Sequence, residues 1–277
     1  MKSSPSTRQK DSRIFPRKRF IQNFLVNLKA AKRIVDYLDL KQNDEVLEIG
    51  PGKGVLTQFL LEKAKKVYGV ELDRNLCKHL EEKFKDNENL EVINQDILKF
   101  NLYKIIDKRE KLKVIGNIPY QITSPIFEYL IQNREFIHFA ILTVQKEVAK
   151  RICAKPGTPN WSPLSIGIQL FSNPEILFTL KPNSFLPPPK VDSAVIRVKF
   201  LLRPKVDIEF PFFTDLVKAV FSQRRKTLLN SLSKSLDLNK DELQTILKDA
   251  EIDSQRRGET LNLKELEKLA RLISARK

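Results

Sequence analysis

The sequence predicts an α/β fold: a mostly parallel seven-stranded sheet with helices on both faces, an antiparallel edge strand, and a small all-helical C-terminal domain. Three observations predict it. From Asp44 to about Phe200, short apolar runs alternate with stretches of helical periodicity, the pattern of successive strand–helix units. The last two runs are joined by Lys181–Ser193, a proline-rich link with no helical period, which suits an antiparallel pair better than a parallel crossover. After Phe200 the strand-like runs cease and only helical stretches remain.

The elements follow in order. The first 33 residues carry ten basic side chains against Asp11 alone, and the polar opening shows no periodicity, so a basic arm is expected over 1–20. A main domain is expected over 21–203. Its strand candidates are Glu45–Ile49, Lys66–Val70, Leu90–Asn94, Leu112–Gly116, Phe139–Val144, Ile176–Leu180 and Ala194–Phe200. Between them, a helix over Val55–Ala64 opens just after a glycine loop. Another over Arg74–Phe84 places Leu76, Leu80 and Phe84 at a spacing of four. Pro125–Gln132 begins with proline at a first-turn position, and Lys146–Ala154 follows the fifth strand. Leu201–Pro211 reads as a linker. Residues 204–277 then hold helices near Phe212–Phe221, Arg225–Leu236, Lys240–Asp249 and Leu263–Ala275.

Composition narrows the function. A hydrophobic content of 41% supports a real core. A formal net charge of +16 points to a polyanionic partner, through the phosphate term of nucleic-acid binding. No long basic amphipathic helix with bulky apolar anchors supports a membrane surface instead. Cys77 and Cys153 lack any paired-motif spacing, so neither a disulfide framework nor a zinc site is expected. His79 and His138 form no metal or triad pattern. No run is long and apolar enough to span a bilayer, and the start lacks a signal-peptide apolar region, so a cytoplasmic, metal-free monomer is expected.

Asn117-Ile118-Pro119-Tyr120 follows the apolar run Leu112–Gly116, at the end of a buried strand. Ligands of open α/β sheets bind at that end. The Asn117 side-chain oxygen and a nearby backbone carbonyl can accept from both protons of an exocyclic amine. Pro119 stiffens the turn and Tyr120 can stack on a flat base. The plain alternative is a strand ending in a turn, because Asn and Pro are common turn residues.

Glu48-Ile49-Gly50-Pro51-Gly52-Lys53-Gly54 lies between a strand and a helix. The spacing is G-x-G-x-G, with Val55 where a dinucleotide fingerprint would need its third glycine, which disfavours a pyrophosphate. An acid before the first glycine resembles instead the S-adenosylmethionine (SAM) loop of class I methyltransferases. Glu71 ends the second strand about 20 residues on, where a carboxylate meets ribose hydroxyls. Asp96 ends the third, where a carboxylate can accept from an adenine amino group. Either could equally be a surface acid or a helix cap.

Taken together, the chain resembles the bacterial small-subunit ribosomal RNA adenine dimethyltransferases. The resemblance rests on Arg17–Leu25, Glu48–Gly54, Val70–Asp73, Gln95–Leu98, Asn117–Tyr120, Gln145–Ala149, Phe185–Ser193 and Phe221–Leu228. It implies a class I SAM-dependent methyltransferase domain over 21–203 and a helical RNA-binding domain over 204–277. It implies dimethylation of N6 on two neighbouring adenosines in the hairpin loop near the 3′ end of 16S rRNA, in the small ribosomal subunit. It places Asn23, Leu25, Gly50, Glu71, Asp96 and Asn117 around SAM, with Asn117, Pro119 and Tyr120 at the reacting centre. Phe185 is expected as a second stacking face, with a buried loop anchor as the alternative. Arg224, Arg225 and Lys226 are expected to clamp phosphates. Two departures stand out: Ile21 replaces a usual glycine, and Trp161-Ser162 replace a usual tyrosine-glycine.

Two other functions compete. One is adenine methylation of large-subunit RNA; Pro189–Ser193 and Arg257-Gly258-Glu259 favour the small-subunit group. The other is a nucleic-acid-binding factor that has lost catalysis; the intact Asn117 segment and the cofactor acids oppose it.

Overall fold

Central strands must bury both faces, and their sequences do. A computed structural model describes residues 23–106 and 111–276. The basic arm expected over 1–20, with Ile21, lies outside the described residues. The strands are β1 (Phe24–Leu25), β2 (Glu45–Ile49), β3 (Lys66–Glu71), β4 (Leu90–Asn94), β5 (Leu112–Asn117), β6 (Ile137–Gln145), β7 (Ser172–Leu180), β8 (Phe185–Leu186) and β9 (Ser193–Phe200). Seven of them form one sheet in the order β4-β3-β2-β5-β6-β9-β7. From β4 to β6 every pairing is parallel. β9 runs antiparallel to both neighbours.

The antiparallel pair expected at the sheet edge is present: β7 is the edge strand and pairs antiparallel with β9, which lies inside it. The side chains explain this. Ala194, Val195, Ile196 and Val198 of β9 are fully buried, as an interior strand requires. β7 carries Pro174 and exposes Asn173, Glu175 and Thr179, which suits an edge.

Successive residues feed opposite faces. Leu47, Tyr68 and Val114 join one apolar cluster, while Val46, Val67 and Ile115 join another. Helices α1 (Leu28–Asp36) and α2 (Thr57–Leu61) cover the second face through Ile34, Val35 and Leu60. Helices α4 (Thr123–Gln132), α5 (Lys146–Ile152) and α6 (Pro163–Leu170) cover the first through Ile126, Phe127, Leu130, Ile152 and Ile168. Helix α3 is Arg74–Lys83, capped by the Asp73 carboxylate on the Asn75 N–H at 2.8 Å.

Helices α7 (Phe210–Phe221), α8 (Leu228–Ser235), α9 (Lys240–Asp249) and α10 (Leu263–Ser274) pack as a third cluster. That cluster also takes in Trp161, Ile166 and Leu170, from before the expected boundary at 204. The Trp161 indole donates to the Leu261 carbonyl at 2.9 Å. The stretch read as a linker is tied down as well: the N–H groups of Leu201 and Lys205 donate to Phe171 and Leu170 carbonyls at 2.8 and 2.9 Å.

Candidate active site

Strand order reverses between β2 and β5, because β3 lies on one side of β2 and β6 lies beyond β5. Ligands of open α/β sheets bind in the crevice at such a reversal. Here Gly50 leaves β2 and Asn117 ends β5, and both line one small cavity with Asn23, Phe24, Gly52, Ile118, Pro119 and Tyr120. A larger cavity of about 210 Å³ adjoins it through Gly50 and Pro119.

The glycine loop has left-handed backbone at Gly50, with φ of 64°. A side chain there would be strained. No atom lies within 4 Å of where its Cβ would stand, so that space is open to a ligand. Gly54 is left-handed as well, with φ of 75°, and is also crowded: a Cβ would stand 2.5 Å from the Phe84 ring.

Glu71, only 3% exposed, ends β3 at this loop. Its carboxylate accepts from the Gly52 N–H at 3.1 Å and the Asp73 N–H at 2.9 Å. Burial raises its pKa, and those two backbone donors oppose the rise. One lone pair on each oxygen remains to accept from hydroxyls. Asp96 caps the Leu98 N–H with one oxygen at 3.0 Å, as the cap reading has it. Glu71 and Asp96 line the larger cavity beside Ile49, Val70, Ile97 and Leu98. Apolar walls for a flat ring, two acids and an open glycine fit a nucleoside cofactor such as SAM.

The Asn117 amide Nδ2 donates to the Asn23 carbonyl at 2.8 Å. This fixes the amide and leaves Oδ1 as its acceptor. Tyr120 is half-buried, with its hydroxyl 2.8 Å from Ser193 Oγ. Burial raises the phenol pKa. Tyr120 therefore stays neutral at ordinary pH.

Leu25 is buried, and it lines the glycine-loop cavity. Its strand partner is Phe185, with Phe24 opposite Leu186. Phe185 is 3% exposed and packs with Leu25, Ile34 and Val195. The expected stacking role is thus corrected: the ring anchors the β1–β8 strap in the core and presents no face to solvent. The pairing explains it, since Phe185 shares the inward-pointing register of Leu25.

Arg224, Arg225 and Lys226 lie in the turn between α7 and α8, not within a helix. Thr227 starts α8 by capping the Asn230 N–H, which excludes the preceding residues. All three are exposed, but Arg224 is engaged. It bonds the Glu259 carboxylate at 3.2 Å and donates to the Pro159 carbonyl. Arg224 thus brackets three segments, and Arg225 with Lys226 form the solvent-facing pair.

Two further residues belong to the site. Glu48, 1% exposed, accepts from the Thr57 hydroxyl at 2.7 Å. Burial pushes its pKa up to about 7; the Thr57 bond opposes the rise and the charge of Glu71 adds to it. Phe24 lines both cavities flanking Gly50 and Asn117. The acid before Gly50 was legible in sequence, whereas nothing marked Phe24 apart from its neighbours. Among the described residues no cluster could hold a metal ion, and no helix is long and apolar enough to cross a membrane.

Comparison with known proteins agrees with this geometry. The family model for ribosomal RNA adenine dimethylase matches residues 15–268. "Ribosomal RNA small subunit methyltransferase A" of Alkaliphilus metalliredigens is 45% identical over 260 residues, spanning 92% of this chain and 91% of that protein. The protein of the same name from Bacillus cytotoxicus is 40% identical, over 91% and 89% of the two chains. A solved dimethyladenosine transferase from Plasmodium falciparum superposes with a TM-score of 0.73 at 30% identity, over 89% and 95%. The 23S rRNA methyltransferase ErmE gives 0.70 at 27%, over 91% and 100%. With its glycine loop, paired acids and Asn117 amide at one sheet reversal, this chain belongs to the ribosomal RNA adenine dimethylase family.

Proposed function

We propose that this enzyme dimethylates N6 of two adjacent adenosines in the hairpin loop near the 3′ end of small-subunit rRNA, and so contributes to ribosome assembly. The observation that carries this reading is the Asn117 amide. Its Nδ2 is committed to the Asn23 carbonyl, so its Oδ1 faces the role of acceptor for an amine proton.

SAM, when bound, supplies an electrophilic methyl group. Glu71 and Asp96 are the proposed holders of its ribose and adenine, and Asn23, Leu25 and Gly50 its proposed near neighbours. The remaining work falls to Asn117, Pro119 and Tyr120. The lone pair of an aromatic amine is delocalised into its ring. Asn117 Oδ1, together with a main-chain carbonyl of the same segment, draws the amine protons out of that plane and turns the lone pair toward the methyl group. Pro119 fixes the backbone that carries both acceptors. Tyr120, its hydroxyl bonded to Ser193, offers a ring on which the target base stacks. Orientation of this kind can supply roughly 7–11 kcal/mol. A hairpin loop presents its bases already unstacked, which lowers the cost of bringing one into the cleft. Arg225 and Lys226 are the proposed phosphate contacts.

The reading is tested by transfer of a tritiated methyl group from SAM to small subunits that lack the modification, followed by nucleoside mapping. The expected product is N6,N6-dimethyladenosine at two adjacent positions of the 3′-terminal hairpin. Labelling confined to large-subunit RNA, or to another base, would overturn it. The second reading, methylation of large-subunit RNA, draws on the likeness to ErmE and is settled by the same assay.

A further inference from the structure

We propose that Phe24 recognises the positive charge of the methyl donor with the face of its ring, so that the pocket discriminates the charged cofactor from its neutral product. The inference rests on the SAM reading of the cleft. A sulfonium has no N–H or O–H to donate, so a site senses its charge through an anion, an oxygen dipole or a π face. Phe24 is placed to be that face.

The placement follows from the strap. Leu25 points into the core opposite Phe185, so its strand neighbour Phe24 points the other way, toward the glycine loop. There the ring lies flush on Gly52: a Cβ at that position would stand 3.1 Å from two ring carbons. Phe24, Gly50, Gly52 and Asn117 are common to the two small cavities of the cleft, and Phe24 brings the one apolar side chain among those four. Gly50 also lines the larger cavity that holds Glu71 and Asp96. A ligand that reaches from those acids to Asn117 must pass Gly50, and at that passage it meets Phe24. The ring already attracts a cation: the Lys53 ammonium stands 5.2 Å from its centroid. Lys53 is exposed on a flexible stem, so it can swing away.

The discrimination also has a use. One site that methylates the same amine twice must release its neutral thioether product and take up fresh sulfonium between rounds. A π face favours that exchange without the desolvation cost of a further buried carboxylate.

Calorimetry on the full chain tests this with three probes: SAM, S-adenosylhomocysteine, which carries an uncharged thioether, and sinefungin, which carries a protonated amine in place of the sulfonium. The readout is the preference for each charged ligand over the thioether, so any general loss of packing cancels. Phe24→Leu should lower that preference roughly 3- to 30-fold, the range of a cation on an aromatic face. Phe24→Tyr should keep it within about twofold of wild type. A ring-fluorinated phenylalanine at position 24 keeps the shape and drains the face, so it should behave like Phe24→Leu and serves if that variant folds poorly. If Phe24→Leu and the fluorinated ring weaken all three ligands by one common factor, or by none, the proposal is overturned and Phe24 is only an apolar wall. If wild type binds neither SAM nor S-adenosylhomocysteine, the cofactor reading itself falls, and the proposal with it.

Discussion

Glu48 should cost this protein stability as pH rises from about 4.5 to about 7, and Glu48→Gln should remove that contribution. The carboxyl is 1% exposed and accepts from the Thr57 hydroxyl at 2.7 Å. Burial raises its pKa from 4.5 to about 7. When unfolded, Glu48 ionises near 4.5; when folded, it keeps its proton to about 7. Between those values the native state binds the extra proton, so stability falls as pH rises. Below the window the penalty is absent, and above it the penalty is complete and constant. At roughly 1.4 kcal/mol per decade, the full gap amounts to about 3 kcal/mol. Most of it, roughly 2–3 kcal/mol, falls between pH 5 and pH 8. Glutamine cannot ionise, yet its carbonyl still accepts from Thr57. Any fixed cost of burying its amide is the same at both pH values and cancels. Urea melts of both proteins at pH 5 and pH 8 therefore give a double difference. The variant should gain roughly 2–3 kcal/mol over wild type on going from pH 5 to pH 8, with unchanged m-values. Glu71, whose pKa is also raised, acts in both proteins and cancels apart from its coupling to Glu48, which is already part of the raised Glu48 pKa. A double difference below about 1 kcal/mol would show that Glu48 is ionised in the fold, and the burial argument would fail.

Asn117→Ala should nearly abolish methyl transfer while SAM affinity stays within a few-fold, because an interaction made in the transition state registers in turnover; paired calorimetry and transfer assays check it. Glu71→Gln should weaken SAM about 10- to 100-fold, since hydrogen bonds to a charged group are each worth roughly 1.5–3 kcal/mol; unchanged affinity would make it a purely structural acid that holds Gly52 and Asp73. Arg225→Glu with Lys226→Glu should lower the log–log salt slope of subunit binding by about 0.7–0.9 for each phosphate no longer neutralised, with SAM affinity unmoved. Trp161→Phe should cost about 1–3 kcal/mol in urea unfolding, because it leaves the Leu261 carbonyl without its indole donor.

The sheet was legible because its inner strands are apolar on both faces, and apolar runs bounded by turns read well as strands. All seven strands of the main sheet lie where the apolar runs are. Two helices were not legible. In α1 the buried face is made of Ala30, Ala31, Ile34 and Val35, set among Lys29, Lys32 and Arg33, and the charge masks so slight a stripe. Its start signal was nonetheless present, since the Asn27 side chain accepts from the Ala30 N–H at 3.0 Å. In α6 the capping box is closed by Ser165 and not by a glutamate, so the usual spacing cue is missing. Arg224 shows a different limit. An arginine in a basic turn reads as a phosphate contact, and only the fold reveals that Glu259 and Pro159 converge on it.

The candidate cofactor acids and glycines could be found along the chain because each sits at or just past the end of a strand. What completes the reacting centre could not, because it is built across the fold. Asn117 is oriented by a carbonyl 94 residues earlier, and that carbonyl is held in place by a two-residue strand pairing with Phe185 and Leu186. The pairing is extended by Val26, whose N–H donates to the Ser184 carbonyl at 2.9 Å. Neither β1 nor β8 is long enough to be stable alone. Each depends on the burial of Leu25 and Phe185 against the sheet, so the strap stays closed only while those two side chains are in the core. Phe185 thus bears on the chemistry from a position where it touches no substrate. By holding Leu25 it holds Asn23, and by holding Asn23 it fixes which atom of the Asn117 amide is left to meet the amine in the proposed reaction.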